Sequence, residues 1–174
     1  QFIDYTKQLK VGDPFLEETD ISSMIHPKEM ERIDKWIHQA VQSGAKIGCG
    51  GKSEGNVFLP TVLLDVDRTM DVVCKEAFAP IVSIVPYQDL DEAIEHVNDS
   101  IYGLNAAIYT SDLNKAIYAA KRIEAGGVVV NDIPTFRVDH MPYGGVKESG
   151  YGREGIKYAI QEMTELKFVT IKTI

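Results

Sequence analysis

The chain has 174 residues, 44% of them hydrophobic and 25% charged, ordinary globular values that argue against a disordered tail, a collagen-like repeat or a low-complexity linker. Lys and Arg total 18 against 26 Asp and Glu, a net charge of −8 that offers no cationic field to a nucleic acid backbone. Cys49 and Cys74 form neither a C-x-x-C pair nor a disulfide framework, and no apolar run approaches the ~18 residues of a spanning helix, so a cytoplasmic protein without membrane contact is expected. The length suits one domain, with roughly 8,500 Å² left exposed after folding. The chain opens on Gln1 rather than Met, and Phe2, Ile3, Tyr5, Thr6 and Leu9 look like a helix already under way. It is therefore expected to begin inside a longer protein.

Pro27 stands at a good first-turn position behind His26, and Met30, Ile33, Ile37, Ala40 and Val41 recur at helical spacing until Gly44. Residues 57–64 read as an extended edge segment, because Pro60 cannot donate to an interior ladder. Residues 81–85, an apolar run between Pro80 and Pro86, read as a buried strand. Leu90, Ala93, Ile94 and Val97 form the next helical stripe, and residues 106–109 the next strand. Ser111 is placed to cap a helix carrying Leu113, Ala116, Ile117 and Ala120, which stops at Gly126-Gly127 before a strand over residues 128–131. Strand, helix, strand, helix, strand implies right-handed crossovers, a parallel sheet and an α/β fold. No period survives over residues 132–152, and a loop of that length in a compact domain is expected to be functional. A last helix is expected over residues 153–163, then a strand over residues 166–174 with no hairpin partner beside it.

Gly150, Gly152 and Gly155 match the G-x-G-x-x-G spacing, but a dinucleotide fingerprint needs a strand directly before it and an acidic residue about 20 positions on. Lys147-Glu148-Ser149 precede it and the chain ends at residue 174, so these glycines are read as tight backbone turning before a helix. Cys74 beside Lys75 is either an activated thiol or, among Val72, Val73 and Ala77, a packing residue, and packing is the expectation. His26, His38, His96 and His140 share no metal-ligand spacing and are expected at the surface or in caps; no metal site is expected. These observations alone stop at an α/β domain with a glycine-rich functional loop.

Lys75-Glu76-Ala77-Phe78-Ala79-Pro80-Ile81 resembles a motif of the aldehyde dehydrogenase superfamily, usually Glu, a spacer, Phe, Gly, Pro and an apolar residue. Val11-Gly12-Asp13-Pro14, Gly44-Ala45-Lys46, Phe58-Leu59-Pro60-Thr61-Val62-Leu63, Tyr102-Gly103-Leu104 and the run from Pro142 through Gly155 resemble further segments of that superfamily, in its order. The sequence departs from the pattern at Ala79, usually Gly, and at Ser22-Ser23, where Gly-Pro is common.

The resemblance implies the parallel-sheet catalytic domain of that fold without its cofactor domain. Residues 1–165 would be its C-terminal part and residues 166–174 an oligomerisation strand of a homodimer or homotetramer. It implies NAD or NADP as cofactor, bound mainly by the missing domain, and a small aldehyde oxidised through a cysteine thioester, with nucleophile and general base outside this chain. Transfer of the acyl group to coenzyme A, or a non-catalytic domain keeping only fold and assembly strand, are its alternatives. Glu76 would accept hydrogen bonds from the nicotinamide ribose, Phe78 would wall the nicotinamide, Leu104 would line the same side, and Glu154 would stand where some members relay a proton. On residue type alone Glu76 is a surface acid, Phe78 and Leu104 are core residues, and Glu154 is a capping acid.

The loop Thr135-Phe136-Arg137-Val138-Asp139-His140 falls where the superfamily lines the mouth of its aldehyde tunnel, with Phe136 as an aromatic wall. Arg137 either grips an anionic substrate group with its planar fork or pairs with Asp139 or Asp132 to stiffen the loop. Members with a similar Thr-Phe-Arg segment act on small polar or anionic aldehydes such as lactaldehyde and phosphonoacetaldehyde, which is what the resemblance implies here.

Overall fold

In the computed structural model, which describes residues 1–173, the chain separates into two units between Tyr87 and Gln88. The first carries the larger core. Its opening helix, α1 (Phe2–Thr6), occupies the expected place, and α2 (Pro27–Gln42) starts where Pro27 predicts. His26 Nδ1 accepts the Lys28 backbone N–H at 3.1 Å, which caps α2. The chain leaves α2 through Gly44, at φ 107°, a conformation that favours glycine. Ile33, Trp36, Ile37 and Ala40 share one face of α2 and pack with Ala45, Phe58, Leu63, Val66 and Val72. Full burial of side chains such as Ile33, Phe58 and Leu63 stabilises the unit by about 1.5–3 kcal/mol each.

Strand β1 (Lys46–Cys49) is followed by a hairpin of β2 (Ser53–Glu54) and β3 (Val57–Phe58), then β4 (Thr61–Leu64), the short helix α3 (Asp71–Cys74) and β5 (Ile81–Ser83). In the three-stranded sheet β4 lies between β1, antiparallel, and β5, parallel. The edge placement expected for residues 61–64 is thus corrected: they form the central strand, and Thr61, Val62 and Leu63 are buried. Pro60 is no obstacle because it precedes the first paired residue, so its missing N–H removes no ladder bond; Thr61 N–H donates to the Pro80 carbonyl at 2.9 Å. The strand expected over 81–85 is shorter and less buried than its apolar run suggested. Val82 is 44% exposed because successive strand side chains point to opposite faces, and it is the neighbouring Ile81 that packs against the core.

In the second unit Asp89 caps α4 (Leu90–Asn98), accepting the Glu92 N–H at 2.9 Å. Strands β6 (Tyr102–Gly103) and β7 (Asn105–Ile108) precede α5 (Leu113–Arg122), and β8 (Gly127–Val130) returns parallel to β7, the expected crossover. The cap of α5 is Asp112 rather than Ser111: its carboxylate reaches the N–H groups of both Asn114 and Lys115. The long loop contains β9 (Val146–Lys147), antiparallel to β6, and ends in α6 (Ile156–Glu162). That helix begins three residues later than expected, because Glu154 is bridged to Tyr143 and Gly155 takes φ 119°. Residues 164–173 form no strand and are exposed, correcting the expected terminal strand over 166–174, whose Ile174 lies outside the described residues. A strand needs a partner for its N–H and C=O groups, and no described segment pairs with this tail.

Among the described residues the buried apolar side chains of the second unit are Ile94, Ala116 and Ala119, a sparse set. The chain exposes 12753 Å², well above the area expected for a self-contained domain, with Phe15, Ile25, Leu113, Met163 and Phe168 among the open side chains. The fold class is nevertheless the expected one: α/β, with parallel pairing in both units.

Candidate functional site

The first cluster surrounds residues 75–80 in the first unit. Met70 N-caps α3, whose Val72 is buried in the core, and the chain then leaves in extended conformation at Lys75. The Ser83 hydroxyl donates to the Val72 carbonyl at 3.1 Å, and Ile81 N–H donates to the Ala79 carbonyl at 2.8 Å, closing a tight turn around Pro80. Ala79 has no positive φ, so alanine fits where the family pattern usually has glycine. From α2, Arg32 donates to the Glu76 carbonyl, 3.4 Å from each Nη. The same guanidinium pairs with Glu29 and lies over the Trp36 ring, Cζ 4.2 Å from its centroid.

This frame holds the backbone of Glu76 and leaves its side chain open. The Glu76 carboxylate is exposed and makes no hydrogen bond or ion pair among the described residues, and Phe78, two positions on, is 59% exposed. Phe78 is therefore not the core residue that its type suggested. Cys74 is exposed as well, correcting the packing expectation: it sits at the last turn of a four-residue helix whose inward residue is Val72. Its Sγ lies 3.6 Å from the Thr69 carbonyl, while Lys75 turns to Asp71 at 2.9 Å.

The second cluster belongs to the second unit. After β8, Asn131 takes φ 60° and exchanges two hydrogen bonds with the Thr110 backbone, its Oδ1 accepting at 2.8 Å and its Nδ2 donating at 3.0 Å. The pairing of β7 and β8 is thereby extended by a side chain to the point where the loop departs. Within the loop Arg137 donates from Nη2 to Glu154 Oε2 at 2.7 Å, and its Cζ lies 4.2 Å from the Tyr143 ring centroid. The partner expected for Arg137 was Asp132 or Asp139; it is Glu154, 17 positions away, brought there by an antiparallel bridge between Tyr143 and Glu154. Phe136 is 49% exposed beside Arg137, and Leu104 is 39% exposed, so neither Leu104 nor Phe136 is a core residue.

Gly150, Gly152 and Gly155 all have positive φ, as the turning role requires. Arg153 Nη1 braces the same turns, donating to the carbonyls of Gly145 at 2.8 Å and Gly152 at 2.6 Å. Sequence reasoning missed Arg32 and Tyr143. Arg32 and Trp36 stand at i, i+4 on α2, a spacing that signals contact, whereas nothing local marks Tyr143. Among the described residues no group of three or more His, Cys, Asp and Glu is placed to hold a metal ion, and no helix is long and apolar enough to cross a membrane.

Against known proteins, a profile described as the aldehyde dehydrogenase family matches residues 1–169. The 3-sulfolactaldehyde dehydrogenase of Priestia megaterium is 52% identical over 166 residues, which are 95% of this chain and 35% of that protein. The lactaldehyde dehydrogenase of Methanococcus aeolicus is 44% identical, covering 99% of this chain and 37% of that protein. Among solved structures, aldehyde dehydrogenase 21 of Physcomitrella patens, in complex with the reaction product succinate, superposes with a TM-score of 0.90 at 43% identity, over 94% of this chain and 34% of that one. The glyceraldehyde-3-phosphate dehydrogenase GapN of Methanocaldococcus jannaschii, complexed with NADP, gives 0.89 at 42% identity, over 95% and 36%. The chain spans about a third of the length of the relatives it matches.

Proposed function

The chain belongs to the aldehyde dehydrogenase family, and from that premise we propose that it is the C-terminal part of the catalytic domain of an NAD- or NADP-dependent enzyme, residues 1–165, with residues 166–174 as its assembly segment. The substrate is a small aldehyde carrying an anionic or hydroxyl group, and the product is the carboxylic acid. The thioester-forming cysteine and the general base belong to the rest of the protein, so this chain alone turns over no aldehyde. Its contribution is to orient the cofactor's reactive end and to shape the substrate mouth.

The observation that carries the cofactor reading is the open Glu76 carboxylate on a braced backbone. A carboxylate with no protein partner is suited to accept two hydroxyl groups of a ribose, and the exposed Phe78 ring beside it is suited to lie against a flat heterocycle. The nicotinamide, when bound, would supply the hydride acceptor. Leu104, in the second unit, is assigned to the nicotinamide side by the family likeness alone. For the substrate, relatives at 44% and 52% identity are named for lactaldehyde and 3-sulfolactaldehyde, and Arg137 supplies a guanidinium next to the exposed Phe136. A cytoplasmic setting fits the two free thiols. The exposed Leu166, Phe168, Val169 and Ile171 fit a homodimer or homotetramer built through the tail.

The test is to express the longer protein that contains this chain and assay it with NAD and NADP separately, on succinic semialdehyde, lactaldehyde and butanal, without and with coenzyme A. Reduced cofactor together with the free acid, independent of coenzyme A, is the expected result. No turnover on any aldehyde, or turnover only with coenzyme A, overturns this reading.

A further inference from the structure

We propose that Glu154 is a positioning residue that, with Tyr143, presents Arg137 to an anionic group on the substrate, rather than a proton relay. The inference rests on the reading of Arg137 as part of a substrate mouth. Three observations carry it. Glu154 Oε2 accepts from Arg137 Nη2 at 2.7 Å, so one face of the carboxylate is committed to a guanidinium. The Tyr143 ring lies under the same guanidinium at 4.2 Å, fixing its plane. The two supports are themselves locked together: Tyr143 N–H donates to the Glu154 carbonyl at 3.1 Å and Glu154 N–H to the Tyr143 carbonyl at 2.6 Å, with Arg153 bracing the backbone on either side.

A guanidinium has five N–H donors, and Glu154 engages a single Nη2. The other donors of Arg137 have no hydrogen-bond partner among the described residues, and its side chain is 45% exposed, so they are available to a carboxylate, sulfonate or phosphonate. The pair is too exposed to matter much for folding, since surface ion pairs contribute little to stability. Its effect is to restrict a long, rotamer-rich side chain before the substrate arrives, which lowers the entropy lost on binding. Glu154 therefore governs recognition of the anion, and a neutral aldehyde is indifferent to it.

The experiment compares Glu154→Gln, Glu154→Ala and Glu154→Asp in the longer protein, on succinic semialdehyde and on butanal, an uncharged aldehyde of the same chain length. Calorimetric binding of succinate provides a readout that needs no turnover. Glu154→Ala should raise KM for succinic semialdehyde about tenfold, the loss expected for one charge-assisted hydrogen bond, with kcat and the butanal constants within about twofold. Glu154→Gln, which keeps an acceptor oxygen, should fall between Glu154→Ala and the parent. Succinate affinity should fall in the same order. A proton relay predicts something else: kcat lost on both aldehydes, in Glu154→Gln as much as in Glu154→Ala. That pattern, or succinate binding unchanged by Glu154→Ala, overturns the proposal. If the parent protein oxidises no aldehyde, the functional reading fails while succinate binding still judges the role of Glu154.

Discussion

The guanidinium of Arg32 and the backbone carbonyl of Glu76 lie 44 positions apart in sequence and are joined by hydrogen bonds of 3.4 Å, so the segment proposed to meet the cofactor is held by a side chain from α2. At that length the bonds are weak, and the position of Arg32 owes more to its stacking on Trp36 and its pair with Glu29. Arg32→Leu should therefore destabilise the first unit by about 1 kcal/mol, through the lost cation–π contact and carbonyl bonds. Urea denaturation would show it. In the longer enzyme cofactor KM should rise as well, because residues 75–80 lose a brace.

Glu76→Gln separates side chain from frame. The Glu76 carboxylate has no partner among the described residues, so the fold should change by less than about 0.5 kcal/mol. Cofactor affinity in the longer enzyme should fall about tenfold or more, since hydrogen bonds to a charged acceptor are worth roughly 1.5–3 kcal/mol. Cofactor KM and the thermal midpoint, measured on the same sample, check both halves. Unchanged kinetics would return Glu76 to the status of a surface acid.

Asp67 gives a pH-dependent handle. The Thr69 hydroxyl, at 2.6 Å, and the Thr69 backbone N–H, at 2.8 Å, both donate to its Oδ1 and hold its carboxyl below the usual range, with a small assist from Arg68. A depressed folded pKa contributes stability that is fully present above the unfolded value of about 3.9 and is lost as pH falls through the folded one. Thr69→Val removes the larger cause and keeps the N–H. Carboxyl carbon NMR should show Asp67 titrating below the ordinary aspartate value, and shifting up towards it in Thr69→Val. Identical titration in both proteins would refute the assignment.

Periodicity recovered the elements that bury a stripe or close a crossover: α2, α4, α5 and the pair β7 and β8. It missed β1 because the alternation of Ile47 and Cys49 in Lys46-Ile47-Gly48-Cys49 is only one repeat long, and its pairing with β4 is a long-range choice. Pro60 misled for a different reason: the rule about proline concerns paired positions, and Pro60 stops one residue short of them. In the site the motif around Glu76 and Phe78 was legible through family likeness. The partner of Arg137 was not, since two nearer aspartates compete on paper and only the bridge between Tyr143 and Glu154 decides between them and Glu154.

Gly126 tests how tightly the glycine-rich loop is packed. A Cβ at this position would fall 1.6 Å from the Gly144 carbonyl oxygen, a backbone atom that a rotamer change cannot move. Gly126→Ala should therefore force the loop away from β8 and destabilise the second unit by about 1–3 kcal/mol or more. Gly55→Ala is the contrast: its Cβ meets nothing within 4 Å, and only the φ of 62° opposes it. Urea midpoints of the two variants should rank Gly126→Ala well below Gly55→Ala, and equal midpoints would mean that the loop moves aside freely.

The tail supplies the last expectation. Leu166, Phe168, Val169 and Ile171 are all at least 68% exposed, on a segment with no strand partner among the described residues. Four large apolar side chains along six residues form a contiguous apolar stretch of the kind that marks an interaction site, and their unpaired backbone is free to add to a sheet edge. Lys167 within the stretch and Lys172 directly after it would discourage indiscriminate pairing, as charges on open edges do. If the tail joins subunits, Phe168→Asp combined with Ile171→Asp places two like charges in the contact and should shift the longer protein towards monomer. Light scattering reads the mass directly, and far-ultraviolet circular dichroism controls for unfolding. A mass unchanged by both aspartates, with the fold intact, would mean that assembly uses another surface and that the tail is covered by its own subunit.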